Sequence, residues 1–415
     1  MLIELKIDNA FVFNKEETFS MLADKRILKL ASNCHNVNND SVIKSACIYG
    51  SNNSGKTCFV KVLRALRSII LNEPFRLESN LFSSSPVVKI GVIFIQNQKK
   101  WSYKFHYDVG KKEFVYESFS EIVNTSHNNE STYIRFVKDT ENKDKNKCED
   151  SNILQILDMI GNQSILINSV NIEKSKIIKE AYEILRAFAL NIEVVSMNNI
   201  PINKTIDTLK QNATLRKKIS LFVRNADVFM DDFGYSEKIE IKASVNTDKT
   251  PDEQVLKIGK NLEEQLHLYS IYRGITVPSI LFDSTGTKKL SALSSYVIEA
   301  LQNGKILIVD ELDSGLHFRL TRAIVSMFNN DVNENAQLIF TAHDISLLDC
   351  KKLFRKEQIW FINKDIEGVD LYSLSEFTAI EGFRDTTDYI EKYKKGLLGA
   401  VPNPKLIEAL IEDVK

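Results

Sequence analysis

Gly50-Ser51-Asn52-Asn53-Ser54-Gly55-Lys56-Thr57 is a G-x-x-x-x-G-K-[ST] octapeptide. It lies between an apolar run, Ser45-Ala46-Cys47-Ile48-Tyr49, and an amphipathic stretch from Phe59 to Leu71. Strand, glycine-rich loop and helix in that order leave the chain few options. The glycines let the backbone curl so that successive N–H groups and the positive end of the helix converge on negative charge. Gly50, Asn52, Asn53, Ser54 and Gly55 would form the cradle. Lys56 would supply a cation for outer phosphates and Thr57 a hydroxyl for Mg²⁺. Cys58, next in line, counts with the loop contacts and reads as a small packed residue rather than a redox switch. The plainer alternative, a turn with a surface lysine, does not explain the strand before and the helix after.

A second motif lies far downstream. Lys305-Ile306-Leu307-Ile308-Val309-Asp310-Glu311 is a continuous apolar run ending in two acids, as expected of a parallel strand covered on both faces. Ligands bind at the carboxyl edge of such sheets. Asp310 would hold Mg²⁺ and Glu311 would act as general base on an attacking water. A strand followed by a solvated acidic turn is the bland reading, and it leaves the pairing with the phosphate loop unexplained.

The surroundings narrow the type. Asp313-Ser314-Gly315-Leu316-His317 follows the acids, and Gln337-Leu338-Ile339-Phe340-Thr341-Ala342-His343 is another apolar strand ending in histidine. Phe282-Asp283-Ser284-Thr285-Gly286-Thr287 opens an apolar helix (Leu290 to Leu301) with a small, hydroxyl-bearing N-terminus, an end suited to a phosphate. These pieces resemble the ABC-type ATPase family. The resemblance implies an α/β fold, an ABC-type P-loop ATPase head with a mixed or parallel sheet core and an inserted helical lobe, and ATP and Mg²⁺ as ligands. It also implies a homodimer in which two heads sandwich two ATP molecules. Carried over by residue, Ser284 and Gly286 match the signature serine and second glycine, Asp313 the D-loop aspartate, and His343 the γ-phosphate sensor. An L-S-G-G-Q string is absent. The variant here is similar to soluble AAA-labelled ABC ATPases of bacterial abortive-infection and restriction-associated loci, relatives of the OLD and RecF/SMC heads. The opening strand Ile3 to Phe11 and the tail Tyr393-Lys394-Lys395-Gly396-Leu397-Leu398-Gly399-Ala400-Val401-Pro402 extend that resemblance.

Composition fits a cytoplasmic protein of two or more lobes: 415 residues, 43% hydrophobic and 26% charged. The net charge of −1 gives no global basic field for nucleic acid. Five scattered cysteines show no metal spacing, so reduced thiols are expected. No signal peptide or membrane-length apolar run is visible, and no membrane contact is expected.

Three segments are expected: a first half of the head with its hairpin (1–121), an inserted polar loop and helical lobe (122–235), and a second half (236–415). Lys99 to Glu121 alternates aromatic and polar residues and predicts a hairpin whose aromatic stripe is core rather than a base-stacking surface. Ser126 to Asn152 predicts a loop, 152–225 predicts helices, and Ile239 to Ala243 predicts a strand. Lys204, Lys210, Arg216, Lys217, Lys218 and Arg224 make the end of the helical region basic, read as a solvated face before a nucleic-acid contact. His267 and His317 lack metal-spaced partners and read as structural. Gln96 is the candidate for the glutamine that ABC heads direct at Mg²⁺, and no adenine-stacking aromatic can be chosen.

No constellation for other chemistry appears, and no nuclease activity is expected. The functional expectation is an ATP-hydrolysing switch that controls a separate effector protein in anti-phage defence, working as a dimer or a larger oligomer. The competing expectation is a RecF/SMC-like ATPase of DNA repair or DNA ends.

Overall fold

A computed structural model describes residues 1–124, 130–169, 175–226, 229–237, 262–365, 368–378 and 387–401. Ile239 to Ala243 and Pro402 lie outside the described residues.

Apolar, β-branched runs pair into a six-stranded sheet in the order Ile192–Ser196, Ile306–Asp310, Gln337–Thr341, Ser45–Tyr49, Ile359–Lys364, Val369–Ser373. The first five strands are parallel and the last is antiparallel. All five residues of each of the three central strands are buried, as a sheet covered on both faces requires. Parallel pairing brings the ends of the first four strands to one edge, where the phosphate loop leaves Tyr49 and the acids leave Val309.

Alternation assigns the two faces. Ala46, Ile48, Ile306, Ile308 and Ile339 face the helices Lys56–Ile70 and Lys176–Leu190. Beyond these lies a seven-stranded antiparallel sheet ordered Lys147–Cys148, Glu130–Asp139, Glu113–Asn124, Lys99–Asp108, Val87–Gln96, Leu2–Asp8, Glu17–Ser20. Phe94 of that sheet stacks on Phe188 of the second helix with centroids 4.1 Å apart. On the opposite face Cys47, Tyr49, Leu307, Val309, Leu338 and Phe340 pack against helices Thr285–Asn303 and Phe318–Phe328. A smaller core joins helices Asn203–Gln211 and Ala213–Ala226 to the strands Asp232–Tyr235 and Leu268–Tyr272.

The predicted hairpin forms, and its aromatic stripe is core: Trp101, Tyr103, Phe105 and Phe119 are fully buried, with Trp101 stacked on Phe119. Three expectations need correction. Glu130–Asp139 is a strand of the antiparallel sheet, not loop, because it completes the ladder with Glu113–Asn124. The segment 122–235 is also no separate lobe. Ile192–Ser196 within it is the edge strand of the parallel sheet, and Lys176–Leu190 is sandwiched between the two sheets. Gln96 sits at the wrong edge. Met1 donates to the carbonyl of its neighbour Ile95, and Leu2 N–H donates to Gln337 Oε1 at the start of its strand, opposite the phosphate loop. Among the basic residues, Lys204 pairs with Glu193 and Glu299, Lys210 pairs with Glu264, and Arg216 donates to the carbonyls of Leu209 and Lys210. The tail is a packed turn: Tyr393 donates to the Ala400 carbonyl, and Tyr372 to that of Leu398. Gly399 there adopts φ 67° with the Tyr372 hydroxyl 2.4 Å from where a Cβ would stand.

One carboxyl is enclosed in the antiparallel layer. Glu117 accepts from Tyr103 Oη at 3.0 Å and Leu166 N–H at 2.7 Å, and burial pushes it from 4.5 up to about 7. Between those values the unfolded chain releases a proton that the folded chain keeps, so this group makes stability fall as pH rises from about 4.5 to about 7. Glu117→Gln removes the titration. Relative to wild type it should gain roughly 2–3 kcal/mol between pH 5 and pH 8 in denaturant unfolding; a difference independent of pH would contradict this origin.

Candidate functional site

The phosphate loop is shaped by what cannot be there. At Gly50 a Cβ would meet Ser54 Oγ at 2.3 Å and the Ile362 carbonyl at 2.7 Å; at Gly55, with φ 117°, it would meet Val12 at 2.5 Å. Asn53 is also left-handed, with φ 65°. Alternating handedness of this kind makes a concavity of N–H groups. Helix Lys56–Ile70 begins on Gly55 with no side-chain cap and no acid in its first turn, so its end is left for an outside anion. By contrast, helix Lys176–Leu190 is capped by Ser175.

Lys56 is buried and folds back on the loop, donating to the carbonyls of Gly50 at 2.7 Å and Ser51 at 3.0 Å. Burial pulls its ammonium below the ordinary lysine range, opposed by attraction to the carboxylates of Glu311, Asp310 and Asp313. Ser54 Oγ is buried and has no hydrogen-bond partner among the described residues. Thr57 is exposed beside it, and Cys58 packs against the core.

Asp310 ends its strand, and Thr341 ends the neighbouring one. The Thr341 hydroxyl donates to Asp310 Oδ1 at 2.8 Å and accepts from Glu311 N–H at 2.7 Å. Glu311 itself adopts φ 57°, a conformation that strains a glutamate and persists only where its surroundings fix it. Asp313 Oδ2 accepts from the backbone N–H groups of His343 at 2.8 Å and Asp344 at 2.7 Å. The histidine backbone is thereby tied to the turn after the acids, with the His343 ring exposed. Asp313 Oδ1 has no hydrogen-bond partner among the described residues.

Ser284 caps helix Thr285–Asn303, accepting from Thr287 N–H at 3.1 Å. Gly286 lies so close to the Asp313–His317 turn that a Cβ would come within 2.7 Å of the Gly315 carbonyl. Ser284, Gly286, Thr287, Gly315 and His317 line one cleft of about 430 Å³, and no residue of the phosphate loop lines it. His317 caps helix Phe318–Phe328, accepting from Arg319 N–H, and His267 stacks edge-on against Tyr235.

Beyond the Thr341 hydroxyl, sequence reasoning missed two supporting residues. Asp283, buried, accepts from Ser270, Tyr272 and Ser279 hydroxyls and so anchors the start of the Ser284 helix to the small sheet Asp232–Tyr235, Leu268–Tyr272, Ile275–Pro278. Asn198 donates to Glu311 Oε2 at 2.8 Å. Hydroxyl residues alternating along Leu268–Tyr272 offered a weak signal for the first, and nothing in the sequence marks the second.

The donor set fits a magnesium nucleotide. A left-handed amide cradle, an uncapped helix end, a buried lysine donating to two carbonyls of its own loop and a serine hydroxyl with no partner among the described residues lie at the sheet edge that carries the acids. Residues 232–349, which contain every downstream element from Ser284 to His343, match the family model described as AAA domain, putative AbiEii toxin, Type IV TA system. No curated protein sequence matches the chain. Similar solved structures include the SMC head domain from Thermotoga maritima, at 10% identity and TM-score 0.42 over 90% of this chain and 98% of that one. An SMC head bound to the C-winged helix domain of ScpA gives 12% and 0.48 over 92% and 99%. An Smc head with an extended coiled coil, bound to the C-terminal domain of ScpA derived from Pyrococcus furiosus, gives 11% and 0.43 over 92% and 97%. Strand order and the phosphate loop together define an α/β P-loop head. Its second half is similar to the AAA domain of that toxin–antitoxin description, and the chain contains, among the described residues, no helix long and apolar enough to cross a membrane.

The Thr341 hydroxyl gives a direct structural test. Thr341→Val keeps the shape but leaves Asp310 and Glu311 N–H each short of a partner, and should lower unfolding stability by about 1–3 kcal/mol. Thr341→Ser should recover most of that; equal losses in both variants would show that the methyl, not the hydroxyl, matters.

Proposed function

We propose that the chain binds ATP with Mg²⁺, hydrolyses it, and uses the cycle as a switch. The observation that best supports this is the convergence of Asp310, Glu311 and the Thr341 hydroxyl on the edge where Lys56 is buried in its amide cradle. Lys56 would exchange its two loop carbonyls for phosphate oxygens, and Gly50, Asn52, Asn53, Ser54 and Gly55 would line the cradle. Thr57 and Asp310 would hold Mg²⁺, which when bound offsets phosphate charge. Glu311 orients and deprotonates the attacking water, and His343 donates to the terminal phosphate. Cys58 supports the loop from the core side.

Ser284 and Gly286 face a cleft apart from their own phosphate loop. They therefore act on the nucleotide of a second copy, with Asp313 at the join, giving an ATP-dependent homodimer. Closure costs ordering entropy that only the bound nucleotide offsets, so nucleotide state sets which surface is displayed. The described family over 232–349 favours a setting in toxin–antitoxin or abortive-infection defence, with a separate effector as the regulated partner. A second reading, a DNA-end ATPase, is favoured by Lys217, Lys218 and Arg224, all exposed on one helix.

Lys56→Ala should abolish binding of a fluorescent ATP analogue. Glu311→Gln should retain binding, lose roughly 10²–10⁴-fold in turnover and accumulate as an ATP-dependent dimer in light scattering. A Glu311→Gln chain hydrolysing at the wild-type rate would remove Glu311 from the mechanism. Copurification of a stoichiometric neighbour, with turnover indifferent to DNA, supports the effector switch; turnover that rises with DNA ends and falls steeply with salt selects the second reading.

A further inference from the structure

Asn198 belongs to none of the motifs above. It sits in the short turn Met197–Asn199 after the edge strand Ile192–Ser196. Ser196 pairs in register with Asp310, so the turn arrives beside Glu311. Met197 is fully buried and fixes the turn, whereas Asn198 is exposed and fills no core space. Its side chain is engaged at both ends. Nδ2 donates to Glu311 Oε2 at 2.8 Å, and Oδ1 accepts from Ser314 Oγ at 3.1 Å. Lys289, on the helix that Ser284 caps, in turn donates to Ser314 Oγ and to the Ser314 carbonyl, each at 3.1 Å.

The amide orientation is determined by this chain of partners. A carboxylate can only accept, so the nitrogen must face Glu311 and the oxygen must face the serine hydroxyl. Glu311 is held in a left-handed conformation, and its half-buried carboxylate, just past the end of the strand, would otherwise choose among rotamers. One neutral donor fixes that choice without adding charge to the base.

We infer that Asn198 is the positioning residue for Glu311, holding its carboxylate in one orientation and tying it, through Ser314 and Lys289, to the helix that carries Ser284 and Gly286. This rests on the reading of Glu311 as the general base. The consequence is a link within one chain between the surface that meets the second copy and the base acting on the chain's own nucleotide. A shift of the Ser284 helix moves Lys289, then Ser314, then the amide that orients Glu311.

The test uses the full chain with Asn198→Ala, Asn198→Asp and Ser314→Ala. Asn198→Asp keeps size but replaces the donor with a like charge, so it separates hydrogen bonding from packing. The expected result for Asn198→Ala is a kcat lower by roughly 10- to 100-fold, with KM and affinity for a fluorescent ATP analogue within about twofold of wild type. Asn198→Asp should be at least as impaired and Ser314→Ala less so. In a Glu311→Gln background Asn198→Ala should add no further loss. Without nucleotide, hydrogen–deuterium exchange over residues 306–316 should quicken in Asn198→Ala while the melting temperature holds. A kcat within twofold of wild type, a loss confined to KM, an undiminished effect in the Glu311→Gln background, or unchanged exchange would each overturn the assignment. If wild type binds ATP without hydrolysing it, the reading of Glu311 fails first and this inference falls with it, an outcome told apart by the wild-type rate alone.

Discussion

Everything at the candidate site depends on parallel pairing of Ile192–Ser196, Ile306–Asp310, Gln337–Thr341 and Ser45–Tyr49. Parallel strands cannot be joined by tight turns, so each pair needs a long crossover. The residues that leave their carboxyl ends come from positions far apart in sequence: Asn198, Glu311, His343 and the Gly50–Thr57 loop. A slip of one residue in any strand would reverse its faces and turn its apolar set from one core to the other. The two separate cores, one facing each side of the sheet, hold that register, and with it the site.

Polar contacts then tune what register brings together. Thr341 serves Asp310 and Glu311 at once, Asp313 holds the His343 and Asp344 amides, and Asp283 secures the helix capped by Ser284. Each is a short-range bond between elements distant in sequence. Most buried polar atoms are paired, but Ser54 Oγ and Asp313 Oδ1 are among those with no partner among the described residues. They lie where a nucleotide and a second copy would supply partners.

Much of this was legible in the sequence, for identifiable reasons. The phosphate loop, the apolar strands around it and the aromatic hairpin declare themselves because glycine spacing and period-two alternation are local. Ile192–Ser196 was hidden because five residues after a long amphipathic helix extend the apolar count without breaking it, although Val194 and Val195 are β-branched. Glu130–Asp139 was masked by the Asn- and Lys-rich residues on either side, and only its pairing with Glu113–Asn124 reveals it. Gln96 looked like a site residue by its place after a strand, but chain direction sends that strand's end to the opposite edge. Asn198 and Asp283 have no pattern of their own; their meaning comes from register.

The central claim is that each nucleotide is shared between the Lys56 loop of one copy and the Ser284 helix of another. Mixing two inactive chains, Lys56→Ala and Ser284→Arg, tests it most directly. A mixed dimer rebuilds one intact composite site, so the account predicts that ATP turnover, absent from either chain alone, returns on mixing and rises with protein concentration. Turnover that stays absent in the mixture while both variants remain folded, or a Ser284→Arg chain active by itself, would contradict it.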